Sequence, residues 1–272
     1  MKRERELDQR LRSLETLGDA ISAMKSLSAH HFRETREALQ SARGYREGID
    51  RVLLSTGARL PAGHGACGLL VLGAELGMCG SYNSQVGEAA ARRREQLGDG
   101  PTLCVGRRAS TLLARRGVRI DRIYSAPTSV RGVPQSLMRV AQDMLSDYVE
   151  RDLRGWEVAS CRFEGVGSHI PRITSLLPVD LRPRESAKAV RYVDPGRAAT
   201  IAVRELLYVS LHDLLLDAMA SEHGARLLAT QSAEHWLRER ATRMRRFLAA
   251  ARREASTQEV IEIAAGARAR RR

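Results

Sequence analysis

Every proline of this 272-residue chain lies between Pro61 and Pro195, so the first 60 residues and the last 77 contain none. A proline inside a helix costs roughly 3 kcal/mol, because it lacks an N–H and its ring meets the preceding turn. A long proline-free stretch with helical periodicity is therefore a place where one helix can run unbroken. Glycine follows the same division, with 15 of the 22 between Gly63 and Gly167. The pattern predicts two long terminal helices bracketing a compact, turn-rich middle.

In the N-terminal segment, steps of three and four residues from Leu7 give Leu14, Leu17, Ile21, Met24, Ser28, His31, Thr35, Ala38, Ala42, Tyr45, Ile49 and Val52, with Leu11 one residue off. The repeat is close to 3.5 residues, the spacing of a left-handed coiled-coil seam. A helix over residues 3–55 would be about 80 Å long. The C-terminal segment, from near Ala198 to about Ala267, places Leu207, Leu211, Leu214, Leu215, Ala218, Ala225, Leu228, Ala229, Ser232 and Trp236 on one broad face. Two such helices hide their stripes most simply against each other, antiparallel, because the chain returns through the middle. Gly44, Gly48 and Gly57 are the points where the first helix can end early, and Gly224 is where the second can bend.

The net charge of +13 calls for an anionic partner: nucleic acid, a membrane surface or an acidic protein face. Seven arginines lie between Arg238 and Arg253, and four more are Arg268, Arg270, Arg271 and Arg272. A basic nucleic-acid-binding coiled coil is one reading of that charge, although no zipper-fed basic region or helix-turn-helix accompanies it. Cys67, Cys79, Cys104 and Cys161 lack the two-residue spacing of a zinc or redox motif and read as reduced, buried thiols. The first residues, Met1 to Glu6, lack the apolar core of a signal peptide, and no apolar run nears the ~20 residues that span a bilayer. The chain is expected to be soluble, or held at a membrane by something else.

In the middle, Cys67 to Gly73 is a continuous apolar run, as in a buried parallel strand. A glycine-containing turn leads to a helix from about Tyr82 to Leu97. Strands are expected at Thr102–Val105 and Val118–Tyr124, separated by a helix over Arg108–Arg116. A helix follows from Pro134 to about Arg151, with proline in its first turn, where it is tolerated. Trp156–Phe163 and Arg172–Leu177 read as two paired strands. Strand and helix alternate at βαβ spacing, which gives a small α/β domain.

No catalytic constellation is present in this pattern. The turn from Gly73 to Asn83 has neither the Gly-Lys-Ser/Thr ending nor the Gly-x-Gly-x-x-Gly spacing of a phosphate-binding loop. There is no His-Glu-x-x-His, and the adjacent His30 and His31 are expected on different helix faces. The reading assigns no catalytic, cofactor-binding or metal-binding residues.

Three islands carry a resemblance. The first is Arg12-Ser13-Leu14-Glu15-Thr16 with Ile21-Ser22-Ala23-Met24-Lys25. The second is Leu76-Gly77-Met78-Cys79-Gly80-Ser81-Tyr82-Asn83. The third is Ser221-Glu222-His223-Gly224-Ala225-Arg226 with Thr257-Gln258-Glu259-Val260-Ile261-Glu262-Ile263 and Gly266-Ala267. In order and spacing these resemble the gamma subunit of the rotary F-type ATP synthase. The chain departs from the family pattern at Ser22, at Gln231-Ser232 and at His30-His31-Phe32, as a divergent bacterial or alternative-ATPase branch would.

The resemblance implies a fold and a role. The fold is a long antiparallel coiled coil of the N- and C-terminal helices, residues 1–58 and 197–272, with a central Rossmann-like α/β domain over 59–196. The role is the central-stalk rotor of an F-type ATP synthase. It is not catalytic: it couples proton or sodium flow to ATP synthesis or hydrolysis in a ring of three alpha and three beta subunits. The implied partners are alpha and beta, epsilon and the membrane ring of c subunits, with no nucleic acid and no cofactor. The implied place is the cytoplasmic face of a bacterial plasma membrane, reached indirectly. Met24, Lys25, Glu222, Arg226, Thr257, Gln258 and Glu259 match positions expected to contact or couple to the surrounding subunits. Gly77, Cys79, Gly80, Tyr82 and Asn83 match the family's structural turn.

Overall fold

The structure, a computed structural model, describes residues 2–56, 62–178 and 195–269. Helix α1 spans Lys2–Thr56 and helix α5 spans Pro195–Ala269. Between them come β1 (Cys67–Leu72), α2 (Tyr82–Leu97), β2 (Thr102–Val105), α3 (Arg107–Arg115), β3 (Arg122–Tyr124), α4 (Val133–Glu150), β4 (Gly155–Gly165) and β5 (Ser168–Leu177). Gly44, Gly48 and Gly224 do not interrupt their helices. Gly57 and the expected boundary at 58–59 lie outside the described residues. By contacts the chain forms two units, Met1–Leu27 with Ala229–Arg272, and Ser28–Leu228.

The second unit is built on a five-stranded sheet of order β3-β2-β1-β4-β5. The first four strands are parallel neighbours and β5 runs antiparallel to β4. Strand side chains alternate between faces, and β1 shows both results. Leu70 and Leu72 join Leu137, Val140 and Met144 of α4 and Leu207, Leu211 and Leu215 of α5. Leu69 and Val71 join Tyr82, Val86 and Ala90 of α2 and Ala109 and Leu113 of α3. Both faces of β1 are therefore covered, which is why its sequence is apolar without alternation. Helices α2 and α3 share one face because the chain steps from β1 to β2 to β3 in one direction. It then doubles back to β4, and right-handed crossover puts α4 on the other face.

Two strand starts differ from the sequence reading by four residues each. β3 starts at Arg122, not Val118. The Val118 N–H is taken by the Leu113 carbonyl at the end of α3, and Asp121 is held in a loop by Thr102. β5 starts at Ser168, before Pro171, where the reading placed its start at Arg172. β5 is an edge strand, and an edge tolerates a residue with no N–H to give. Its partner across the register is Cys161.

In the first unit, α1 and α5 pair antiparallel. Ion pairs link Arg252 to Glu4 at 3.1 Å and Arg245 to Glu15 at 2.8 Å, and Lys25 pairs with Glu234. Leu11, Ala241 and Leu248 form the buried core, with Leu7, Leu14 and Met244 packed against it.

The expected seam of α1 is corrected here. Positions 7, 14, 21, 28, 35 and 42 are right, but the alternate positions are shifted by one residue. Leu11, Phe32 and Leu39 are buried, whereas Leu17 and Tyr45 are more than half exposed. The repeat runs four-then-three from Leu7, which brings Gly18, Lys25 and Arg46 onto the seam. A 3.5-residue repeat admits both step orders, and the apolar Leu17, Met24 and Tyr45 favoured the wrong one. On α5, Leu207, Leu211, Leu215, Ala218 and Ala225 are buried as expected, but Leu228 and Trp236 are exposed. Past residue 228 the buried positions are Thr230, Glu234, Leu237, Ala241 and Leu248, a heptad facing one partner helix.

Candidate functional site

The turn after β1 is closed by its own side chains. Met78 (φ 60°) and Gly80 (φ 56°) both adopt left-handed backbone, which glycine allows freely. The side-chain oxygen of Asn83 accepts from the Ala74 N–H at 2.9 Å, and its Nδ2 donates to Cys79 Sγ at 3.1 Å. The Tyr82 hydroxyl, fully buried, donates to the Leu72 carbonyl at 3.3 Å. Gly77, Cys79, Gly80, Tyr82 and Asn83 thus meet in one turn.

α5 packs against this turn. Arg226 donates from Nε to the Gly77 carbonyl at 3.1 Å and from Nη2 to the Leu76 carbonyl at 3.3 Å and to Glu222 Oε1 at 2.5 Å. Ser221 Oγ donates to the Cys161 carbonyl of β4 at 3.3 Å. β1 lies where the sheet changes direction, with β2 on one side and β4 on the other. In open α/β sheets the crevice at the carboxyl ends of such strands is the usual ligand site. Here side chains of α5 reach into that place, and the Ala74 N–H and the Leu76 and Gly77 carbonyls are engaged internally. The turn is a joint between sheet and helix.

The charges of the joint follow from burial. Arg226 and Glu222 side chains are 4% and 9% exposed. Burial raises the Glu222 carboxyl, opposed by the Arg226 charge. His223, between them in sequence, accepts at Nδ1 from Arg226 Nη1 at 3.2 Å. Burial, then the Arg226 charge, pushes its pKa down to about 3, so the ring is neutral at pH 7. Glu75, also in the turn, accepts from the Arg107 side chain, from the Ala126 N–H at 3.1 Å and from the Arg107 N–H at 3.3 Å. Burial alone would raise its pKa, but these bonds hold it below the ordinary carboxylate value.

The residues matched to subunit contact fall in three environments. Glu222 and Arg226 face inward. Lys25 pairs across the coil with Glu234, whose carboxylate it holds below its ordinary pKa by hydrogen bonding, and Met24 beside it is half-buried. Thr257, Gln258 and Glu259 are exposed on α5. Thr257 Oγ1 donates to the Arg253 carbonyl at 2.9 Å, and Gln258 Nε2 donates to Glu262 at 2.9 Å.

Every residue from 256 to 267 is exposed, including Val260 at 65%, Ile261 at 56% and Ile263 at 67%. Three large apolar side chains clustered on an exposed helix end mark a surface made for contact. The arginine run upstream divides. Arg238, Arg243, Arg245, Arg246 and Arg252 are all exposed, and Arg238, Arg245 and Arg252 pair with acids of the coil, which leaves Arg243 and Arg246 outside those pairs. Glu234 and Glu75 were not singled out by the sequence reading. Only the four-residue step from Glu234 to Arg238 signals the first, and Glu75 carries no local signal.

A sequence model described as ATP synthase matches residues 3–269. The ATP synthase gamma chain of Moorella thermoacetica is 27% identical over 282 residues, covering 97% of each chain. That of Methylobacterium nodulans is 30% identical over 290 residues, covering 97% of this chain and 98% of the relative. Among solved structures, a chain of the Euglena gracilis mitochondrial ATP synthase (OSCP/F1/c-ring) has the same fold. Its TM-score is 0.67 at 13% identity, covering 96% of this chain and 92% of that one. A chain of the central stalk and c-ring of the Tetrahymena thermophila enzyme gives 0.62 at 17% identity, covering 79% and 99%.

Proposed function

We propose, from the premise that the chain belongs to the ATP synthase family as a gamma subunit, a division of labour among its parts. The subunit is a non-catalytic component of the central stalk. Residues 1–58 and 197–272 serve as the shaft and residues 59–196 as the head. The shaft end enters a ring of alpha and beta subunits that carries the nucleotide sites. The head meets epsilon and the c-ring, and through them the chain is held at the cytoplasmic face of a bacterial plasma membrane. No described helix is long and apolar enough to cross a membrane, so in this reading attachment is indirect. Rotation driven by proton or sodium flow presents different shaft faces to each beta subunit, and the differential contact shifts its conformational equilibrium.

The observation that carries this reading is the bare end of α5. Val260, Ile261 and Ile263, with Thr257, Gln258 and Glu259 beside them, offer an exposed apolar collar, interrupted by Glu259 and Glu262, that suits a bearing formed by other chains. The exposed Arg243 and Arg246 offer positive charge to acidic surfaces lower on the shaft, while Lys25 is engaged by Glu234 within the coil. Glu222 and Arg226 act inside the chain, holding α5 to the turn after β1. Family membership displaces the reading as a nucleic-acid-binding coil.

The test is co-expression with the alpha, beta and epsilon subunits of the same organism. The full chain should co-purify with the ring. A chain lacking residues 257–272 should lose only the last turns of α5 and keep the rest of its fold, but lose ion-coupled ATP turnover once the ring is joined to the membrane sector. If the ring assembles and the full chain never joins it, the reading fails.

A further inference from the structure

We propose that His30, His31 and Glu34 form a binding site for a divalent transition-metal ion of the zinc class, on α1 where it meets His223 of α5. One ligand atom from each of the three lies within 4.8 Å of those of the others.

The helix explains how adjacent histidines can share an ion. At about 100° per residue, His30 and His31 are a quarter-turn apart, and Glu34 falls between them in angle, one turn further on. Side chains lean toward the helix N-terminus, so the Glu34 carboxylate tips back toward both rings. The His30 and His31 centroids are 5.5 Å apart, so the two rings come close although they leave the helix in different directions. His31 Nδ1 stands 3.5 Å from Glu34 Oε2, too far for a strong hydrogen bond. An ion bound between these groups would draw each ligand atom to the roughly 2.0–2.2 Å of zinc bonds.

The donor set selects the ion. Two imidazoles and one carboxylate suit zinc, cobalt, nickel or copper, while magnesium and calcium prefer all-oxygen shells. Three protein ligands leave a coordination position for water or for a group from another chain. His30 is exposed, so the ion has a way in. Arg36, one turn beyond, lies over the rings of Phe32 and Phe163 at 5.9 and 5.5 Å. The other side of the site is lined by His223, whose ring is 5.3 Å from that of His31. Because Arg226 donates to its Nδ1, His223 carries its proton on Nε2. That buried N–H has no hydrogen-bond partner among the described residues. A water or anion completing the metal shell would offer it an acceptor, in the way an outer-shell donor supports a bound ligand.

The test uses the untagged full chain, stripped with a chelator and titrated with zinc chloride by calorimetry and with cobalt(II) by visible absorption. One zinc per chain is expected, together with cobalt bands free of any thiolate charge-transfer. H30A and E34Q should each weaken zinc binding at least about 10-fold while leaving the circular dichroism spectrum unchanged. The proposal is overturned by a wild-type chain that takes up no zinc. It is equally overturned by variants that bind as well as wild type, or by a thiolate band placing the ion on cysteine.

Discussion

Arg226 and Gly77 are 149 residues apart in sequence, yet Nε of the first donates to the carbonyl of the second at 3.1 Å. That bond, with its companion to Leu76, fastens α5 to the turn after β1, and the ion pair to Glu222 within α5 holds the guanidinium in place. R226A would leave a buried carboxylate and two carbonyls without their donor. Stability should fall by about 3–5 kcal/mol, the usual cost of breaking a buried pair by removing one partner. R226K should recover only part of this, because an ammonium lacks the guanidinium's fork. Denaturant midpoints of the three proteins check the order.

The Lys25–Glu234 pair should make the coil sensitive to acid. In the folded chain Glu234 is held below its ordinary pKa, chiefly by the Lys25 hydrogen bond. The unfolded group takes up its proton near 4.5 and the folded one only at lower pH. The pair's contribution is therefore complete above about 4.5 and is lost as pH falls through the lowered folded value. E234Q should melt below wild type at pH 7, and the gap should close at pH values under the folded pKa. Thermal melts across that range decide it, and a gap independent of pH would show that the pair is not the cause.

Gly224 sits mid-helix, where alanine would ordinarily gain about 1 kcal/mol. A Cβ there would stand 3.3 Å from Phe32 Cε2 and 3.6 Å from both the Gly167 nitrogen and Phe163 Cε2. The propensity gain and the squeeze on the Phe32–Phe163 edge-to-face pair oppose each other. G224A should accordingly lie within about 1 kcal/mol of wild type, and G224V should destabilise by about 1–3 kcal/mol through overpacking. Chemical denaturation of both variants measures the contrast.

All four cysteines are free and buried. Burial pushes Cys104 and Cys161 up to about 12 and raises Cys67 and Cys79 as well. Because the thiolate is the reactive form, the native chain at pH 8 should resist a thiol-labelling reagent, and four labels should appear once it is unfolded. Mass spectrometry before and after denaturant counts them.

Much of the architecture was legible in residue order. The absence of proline from both ends, and the apolar run at β1, located α1, α5 and the first strand to within a few residues. The islands around Tyr82-Asn83 and Glu222–Arg226 marked the turn and its fastening, although not that they touch. What could not be read was the phase of the coil. Leu11 and Leu17 are equally apolar, and only the partner helix decides which is covered. The same holds for Pro171, which breaks a central strand but not an edge one, and edge status belongs to the sheet.

The sequence by itself determined where helices run unbroken, which strands are sheathed on both sides, and the family to which the chain belongs. The first two follow from backbone rules and local periodicity, properties carried by neighbours in the chain, and the third from the likeness of its motifs to those of the family. Only the tertiary structure decided that Arg226 closes the first turn, that Lys25 faces Glu234, and that His30, His31 and Glu34 stand beside His223. Each depends on which face of one helix meets another element. A shift of one residue turns a side chain by about 100°, and no local pattern fixes that angle.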